Sequence, residues 1–186
     1  MRMKGICRAV YHICSGMRRG VRRLLILPFQ RRLFASCGKD VYIGRNCRIR
    51  YRNVSVGSHS SIGDNALLMS TVASITIGEG CMIAPRVMMI SGDHRIDLPD
   101  LPMHRVTEAQ KLAENDRDII LEDDVWIGAG ACILKGVRIG TGSVVGAASV
   151  VTRDLPPGSI YTGAPGQKCR ARFPDNKASA RINKNR

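Results

Sequence analysis

The chain has 186 residues, enough for one domain with a real core, and 44% of them are hydrophobic while only 4% are aromatic. Its net charge of +14 sits at the ends: residues 1–39 hold ten Lys/Arg and no acid, residues 166–186 hold seven against one, and 40–165 has 12 basic and 14 acidic residues. No apolar run reaches the roughly 18 residues of a spanning helix. Seven scattered cysteines without a C-x-x-C pair argue against a disulfide framework or a zinc ribbon, and point to reduced thiols in the cytoplasm.

Residues 1–36 read as one helix or two short ones, broken around Gly16, Gly20 and Pro28. Ile6, Val10, Ile13, Met17, Val21, Leu24 and Leu25 recur at helical spacing, with Arg18, Arg19, Arg22 and Arg23 between them. Two compatible readings follow: a cap packed on the segment behind it, or a basic amphipathic segment lying on an anionic membrane surface at the inner face of the plasma membrane. Leu24–Leu27 is too short and too late for a secretory signal and ends at Pro28. Nucleic acid is not an expected partner, because stacking aromatics are few and no recognised module is present.

From Val41 an aliphatic repeat begins. Ile43, Ile49, Val56, Ile62 and Leu68 are spaced 6, 7, 6 and 6, which predicts one extra residue bulging near Arg52–Val54. The step from Leu68 to Ile77 is 9, and Ile83 and Met89 then resume at 6. Between Ser91 and Asp118 the period stops. This 28-residue insertion contains His94, His104, Pro99 and Pro102. A long loop that interrupts a repeat array is usually functional or disordered, and the functional reading is favoured because the candidate chemistry lies in it.

The period is strictest in LEDDVWIGAGACILKGVRIGTGSVVGAASVVTRDLP, Leu121 to Pro156. Leu121, Ile127, Ile133, Ile139, Val145 and Val151 are six apart, and Gly128, Gly140 and Gly146 follow three of them. Neither a helix nor simple alternation has this period; a β-solenoid does. Each hexad is one short strand and a bend, with the aliphatic inward, a small residue under the corner and glycine allowing the tight backbone. Three hexads close a triangular coil, and coils stack at about 4.8 Å, the inter-strand spacing. After Val151, RDLPPGSIYTGAPGQKCRARF predicts turns and a short strand or helix, and the last dozen residues read as disordered by composition.

LEDDVWIGAGACILKGVRIG, VVGAASVVTRDLPPGSI and TGAP together resemble the hexapeptide-repeat acyltransferases, and within them the sugar and xenobiotic O-acetyltransferases that use acetyl-coenzyme A. The resemblance covers roughly Val41 to Arg170. It implies an all-β solenoid, a left-handed parallel β-helix, over 41–165 with the loop 91–118 inserted, a partly helical basic segment over 1–40 and a basic tail over 166–186. It also implies a homotrimer with coenzyme in a groove between neighbouring solenoids, and a carbohydrate acceptor from surface polysaccharide or lipid-linked glycan synthesis. No metal is implied.

Acetyl transfer to a hydroxyl needs a base and donors for a developing oxyanion. His94, in SGDHRID, matches the family's catalytic histidine. Asp93 and Asp97 flank it, one to orient the ring and the other to hold the acceptor; His104 reads as a lid residue. Trp126, the single tryptophan, matches a position that packs against pantetheine or lines the acceptor cleft. Ala129, Ala147 and Ala148 would line the pantetheine groove, and Thr152, Arg153 and Arg170 match positions that reach the coenzyme phosphates, for which arginine's fork of donors is suited. Gln167 and Lys168 depart from the usual sequence after the Gly-Ala-Pro turn. Two other readings use the same coil. A zinc site would use His59 and His94 but meets Pro99 where a third ligand is needed, and a scaffold or regulatory subunit would carry no coenzyme site.

Overall fold

The computed structural model describes residues 2–164 and 166–173, and the chain divides into two compact units, Met1–Leu33 and Phe34–Arg186. In the first unit, α1 spans Arg2–Val21, a π turn follows over Arg22–Ile26, and α2 spans Leu27–Arg31. Gly16 and Gly20 do not break the helix, as the sequence had suggested; a glycine costs a helix only about 1 kcal/mol. The break falls ahead of Pro28, which has no N–H to donate one turn back. Val10, Ile13, Met17, Val21, Leu24, Leu25 and Phe29 are exposed. Among the described residues no helix is long and apolar enough to cross a membrane.

The second unit is a stack of five coils. The first holds β1 (Ser36–Cys37), β2 (Tyr42–Ile43) and β3 (Arg48–Ile49), and the second β4 (Val54–Val56), β5 (Ser61–Ile62) and β6 (Leu67–Met69). The third holds β7 (Ile75–Ile77), β8 (Met82–Ile83) and β9 (Met88–Ile90); the fourth, β10 (Ile119–Leu121), β11 (Trp126–Ile127) and β12 (Cys132–Leu134). The fifth holds β13 (Arg138–Ile139), β14 (Val144–Val145) and β15 (Val150–Val151). Corresponding strands pair in parallel and make three faces, β1-β4-β7-β10-β13, β2-β5-β8-β11-β14 and β3-β6-β9-β12-β15. β16 (Ser159–Gly163) extends the second face, and β17 (Gly166–Ala171) folds back on it antiparallel. The tail beyond Phe173 lies outside the described residues.

The six-residue period becomes vertical stacks of side chains. Leu121 pairs with Ile139, Ile127 with Val145 and Ile133 with Val151, and all six are essentially inaccessible. Each such aliphatic contributes about 1.5–3 kcal/mol on burial, so the thin core is a sum of equal rungs. In the earlier coils the extra residue forms a 3-10 turn at Tyr51–Asn53, where the bulge was expected. The first strand lies ahead of Val41: Cys37 stands in register with Val56, so a cysteine holds the rung where an aliphatic would have announced it. Phe34, packed edge-on against Tyr51 at 4.8 Å, lies just before that strand. At the other end Tyr161 is buried and its hydroxyl donates to the Val150 carbonyl at 3.1 Å.

The corners correct one expectation. Positive φ falls not on the glycine after the aliphatic but on the residue before the small corner side chain: Asp40, Asn46, His59, Asn65, Gly80, Arg86, Asp124, Gly130, Gly136, Gly142, Ala148 and Gly158. Glycine, Asn and Asp tolerate this region; Arg86 and Ala148 hold it at a steric cost of about 1–2 kcal/mol each. Gly128 is needed for a different reason, the close approach of the next coil, where an added Cβ would stand 2.5 Å from the Ala147 nitrogen.

Candidate functional site

The insertion leaves the coil after β9 and returns at β10, so its two limbs meet at the corner between the third and first faces. There they are zipped together. Gly92 bridges Asp116 antiparallel, the Asp93 N–H donates to the Asn115 carbonyl at 2.8 Å, and the Arg117 N–H donates to the Ser91 carbonyl at 2.9 Å. Asn115 is buried, and its side-chain amide donates to Asp93 Oδ1 at 2.9 Å. Beyond this neck the loop folds into three 3-10 turns, Met103–Arg105, Glu108–Gln110 and Ala113–Asn115. His104 lies in the first of them, exposed.

His94 emerges directly from the neck with its imidazole exposed. Among the described residues no hydrogen bond or ion pair reaches that ring, so both nitrogens are free for a ligand. The carboxylates expected beside it are engaged elsewhere. Asp93 receives Lys135 Nζ at 2.6 Å as well as the Asn115 amide. Burial pushes its pKa up, but hydrogen bonds from Lys135 and Asn115 outweigh that and hold it below the ordinary carboxylate value. Asp97 pairs with Arg95 at 2.8 Å, and this bond keeps its carboxyl low as well. Arg95 also donates to the Gln110 carbonyl at 2.8 Å, closing the loop on itself. Both carboxylates are therefore ionised and occupied, and among the described residues neither bonds to His94.

The residues expected at the coenzyme fall in three places. Ala129 and Ala147 are exposed one coil apart at the corner between the second and third faces, where the Ala148 N–H donates to the Ala129 carbonyl at 2.9 Å. Thr152 and Arg153 are exposed at the corner between the third and first faces, one coil beyond Lys135 and so on the same corner column as the neck. Trp126 points outward from the second face, 48% exposed. By register it stands in the outward row Tyr42, Ser61, Met82, Trp126, Val144, Ile160 and Arg170. A single solenoid thus brings Thr152 and Arg153 to the histidine's corner and sets Trp126 and Arg170 on a different face.

Lys135, Asn115 and Arg95 are the site-building residues that sequence reasoning missed. Lys135 alone had a visible signal, a long cation at a corner where neighbouring hexads place small residues. A hollow of about 360 Å³ opens on the first face between Glu122, Arg138, Asp154 and Pro157. Its Glu122 carboxylate is bound at both oxygens, by Arg138 at 2.7 Å and by the Thr141 N–H and hydroxyl at 2.8 and 2.9 Å. That carboxylate ties two coils together and has no lone pair free for a base. Among the described residues no group of three His, Cys, Asp or Glu side chains is arranged to hold a metal.

A triangular parallel β-helix of six-residue rungs, with an exposed histidine at the neck of its inserted loop, defines a hexapeptide-repeat solenoid. The bacterial transferase hexapeptide family (six repeats) matches residues 118–153. A hexapeptide-repeat acetyltransferase from Vibrio cholerae, solved with acetyl-coenzyme A, is similar at 33% identity and a TM-score of 0.66, over 76% of this chain and 73% of that one. A maltose O-acetyltransferase from Clostridium difficile is 30% identical at a TM-score of 0.64, over 86% and 83%. The galactoside O-acetyltransferase of Lactococcus lactis is 33% identical over 131 residues, 66% of this chain and 59% of that protein. The chain belongs to the hexapeptide-repeat acetyltransferases, and its solenoid is the left-handed parallel β-helix that the resemblance implied. It spans about half the length of the curated relatives it matches.

Proposed function

We propose that the protein is an acetyl-coenzyme A-dependent O-acetyltransferase acting on a sugar hydroxyl. The observation that carries this is His94, an exposed imidazole with no partner among the described residues, held at a zipped neck in a chain of this family. His94 takes the acceptor's hydroxyl proton as the oxygen forms its bond to the thioester carbonyl. Collapse of the tetrahedral adduct breaks the C–S bond, and the proton passes from His94 to the departing coenzyme A sulfur. Ala129 and Ala147 let the pantetheine arm approach, and Thr152, Arg153 and Arg170 meet the phosphates. The galactoside and maltose specificities of named relatives support a carbohydrate acceptor, and the scheme needs no metal. Calorimetry with coenzyme A and a thiol-release assay on galactosides and maltose test it. Binding with turnover is expected, and no binding of coenzyme A at all would leave the scaffold reading standing.

The distribution of the site supports a homotrimer. His94 and Trp126 lie on different parts of one solenoid, and the outward row of Tyr42, Met82, Trp126, Val144 and Ile160 is apolar enough to pack against a second copy. Sedimentation at three times the 20.4 kDa chain is the expected result, and an active monomer would contradict a shared groove.

The amino-terminal unit adds a place of work. Nine positive charges in residues 1–33, no acid and a set of exposed apolar residues on α1 and α2 fit an anionic lipid surface, where each cation contributes about 1 kcal/mol. We therefore place the enzyme in the cytoplasm, peripheral at the inner face, acting on a lipid-linked or surface glycan. Co-sedimentation with anionic vesicles should be strong at low salt, fall steeply with added salt, and vanish when residues 1–33 are deleted. Equal binding to neutral and anionic vesicles would rule the electrostatic attachment out.

A further inference from the structure

Twenty-eight residues of loop cannot by themselves hold one histidine in one place, and two sets of contacts keep this loop at the coil. The first is the zipped neck of backbone bonds. The second comes from outside the loop. Lys135 sits on the corner after β12, in the coil above, and its single ammonium reaches both limbs of the neck. It pairs with Asp93 Oδ2 at 2.6 Å on the entering limb and donates to the Glu114 carbonyl at 2.7 Å on the returning limb. Asp93 in turn is the residue whose backbone leads directly into His94.

We propose that Lys135 is a positioning residue for the reaction: it clasps the loop to the fourth coil through Asp93 and Glu114 and thereby fixes where His94 stands. Asp93 acts through this clasp, by anchoring the backbone before His94, and not by a carboxylate–imidazole bond. The inference rests on the reading of His94 as the base.

A comparison with the loop's own ion pairs separates aim from fold. Lys111 and Asp116 form an inner pair at 3.0 Å, with side chains only 13% and 10% exposed, and Lys111 also reaches Glu108 at 3.3 Å. Among the described residues Asp116 Oδ1 is buried without a donor while Oδ2 takes Lys111, so that pair belongs to the loop's own packing. The clasp is more open, with Lys135 25% and Asp93 51% exposed. A half-exposed pair adds little to global stability. Its loss should therefore leave the coil intact and release only the neck, which is the property a positioning contact needs and a structural one lacks.

Lys135→Met keeps the stem and removes the charge; Lys135→Arg keeps the charge and the donors. For Lys135→Met we expect kcat to fall about tenfold or more, KM for acetyl-coenzyme A to stay within about twofold, and Tm to move by no more than a few degrees. Amide exchange at residues 92–117 should quicken at least tenfold while the amides of β11 and β14 are unchanged. Lys135→Arg should restore most of the turnover. Asp93→Asn combined with Lys135→Met should be no slower than the worse single variant, because both break one clasp. The proposal is overturned if Lys135→Met keeps kcat within twofold, if the two losses multiply, or if loop exchange does not change. Should the unchanged protein turn over no acceptor, the functional reading fails, and the exchange measurement still decides the clasp.

Discussion

His94→Ala is expected to fold and assemble as the unchanged chain does, to bind coenzyme A within about twofold, and to lose at least about a hundredfold in turnover. The ring is exposed and has no partner among the described residues, so removing it opens no cavity and strands no buried donor. The neck that carries it is held by Asp93, Asn115 and Lys135, none of which the substitution touches. What disappears is the proton acceptor, and removal of a general base costs about 10²–10⁴ in rate, a hundredfold being about 2.7 kcal/mol of barrier. Steady-state kinetics beside coenzyme calorimetry make the measurement. Turnover within threefold of the parent protein would remove His94 from the mechanism, whereas loss of coenzyme binding together with turnover would assign it to the groove.

Gly128→Ala is expected to be strongly destabilising, one of several added methyls that would run into the backbone of the next coil. The added carbon would meet the Ala147 nitrogen at 2.5 Å, the Gly146 carbonyl carbon at 2.8 Å and the Val145 oxygen at 2.8 Å, all of them backbone of the next coil. None can swing aside, because the Gly128 N–H holds the Val145 carbonyl at 2.8 Å in the ladder that sets the spacing. Overpacking against such a wall costs about 3 kcal/mol, a fall in Tm of roughly 6–12 °C for a domain of this size. Coenzyme binding should weaken too, since Ala147 is the residue displaced. Gly130→Ala, two positions on, is the control. Its φ of +68 disfavours a side chain, but nothing lies within 4 Å, so only the backbone cost of about 1–2 kcal/mol remains. Thermal melts of the two variants decide the matter: equal losses would mean that conformation, and not the approach of the next coil, is what glycine serves at position 128.

The pairing of Asp93 with Lys135 also revises the chemistry that adjacency suggests. A carboxylate next to a histidine in sequence invites a dyad, yet successive residues on an extended limb point to opposite sides. Asp93 turns in to the coil and His94 turns out to solvent. The same logic takes Asp97 to Arg95, two residues away on the same side.

How far the chain could be read without its fold depended on how local each feature is. The strands from Leu121 to Val151 were legible because a solenoid stacks each rung on its equivalent, so a six-residue period is at once a sequence pattern and a spatial one. The bulge at Tyr51–Asn53 was legible for the same reason, as a slip in that period. Cys37 was not, because a cysteine can hold a rung without announcing it. His94 was legible through the resemblance of its surroundings and not through any property of the histidine itself. The clasp was invisible: Lys135 meets Asp93 and Glu114 only because the loop rejoins the coil at the corner directly beneath Lys135, an outcome of stacking that no local pattern encodes. The arrangement of the coenzyme residues likewise needed the tertiary structure. Periodicity assigns each residue to a rung and a side, so the sequence by itself determined the repeating core and the outward placement of Trp126. Which corners meet the loop, and which carboxylates remain free to act, were decided only when the coils closed and long-range charges found their partners.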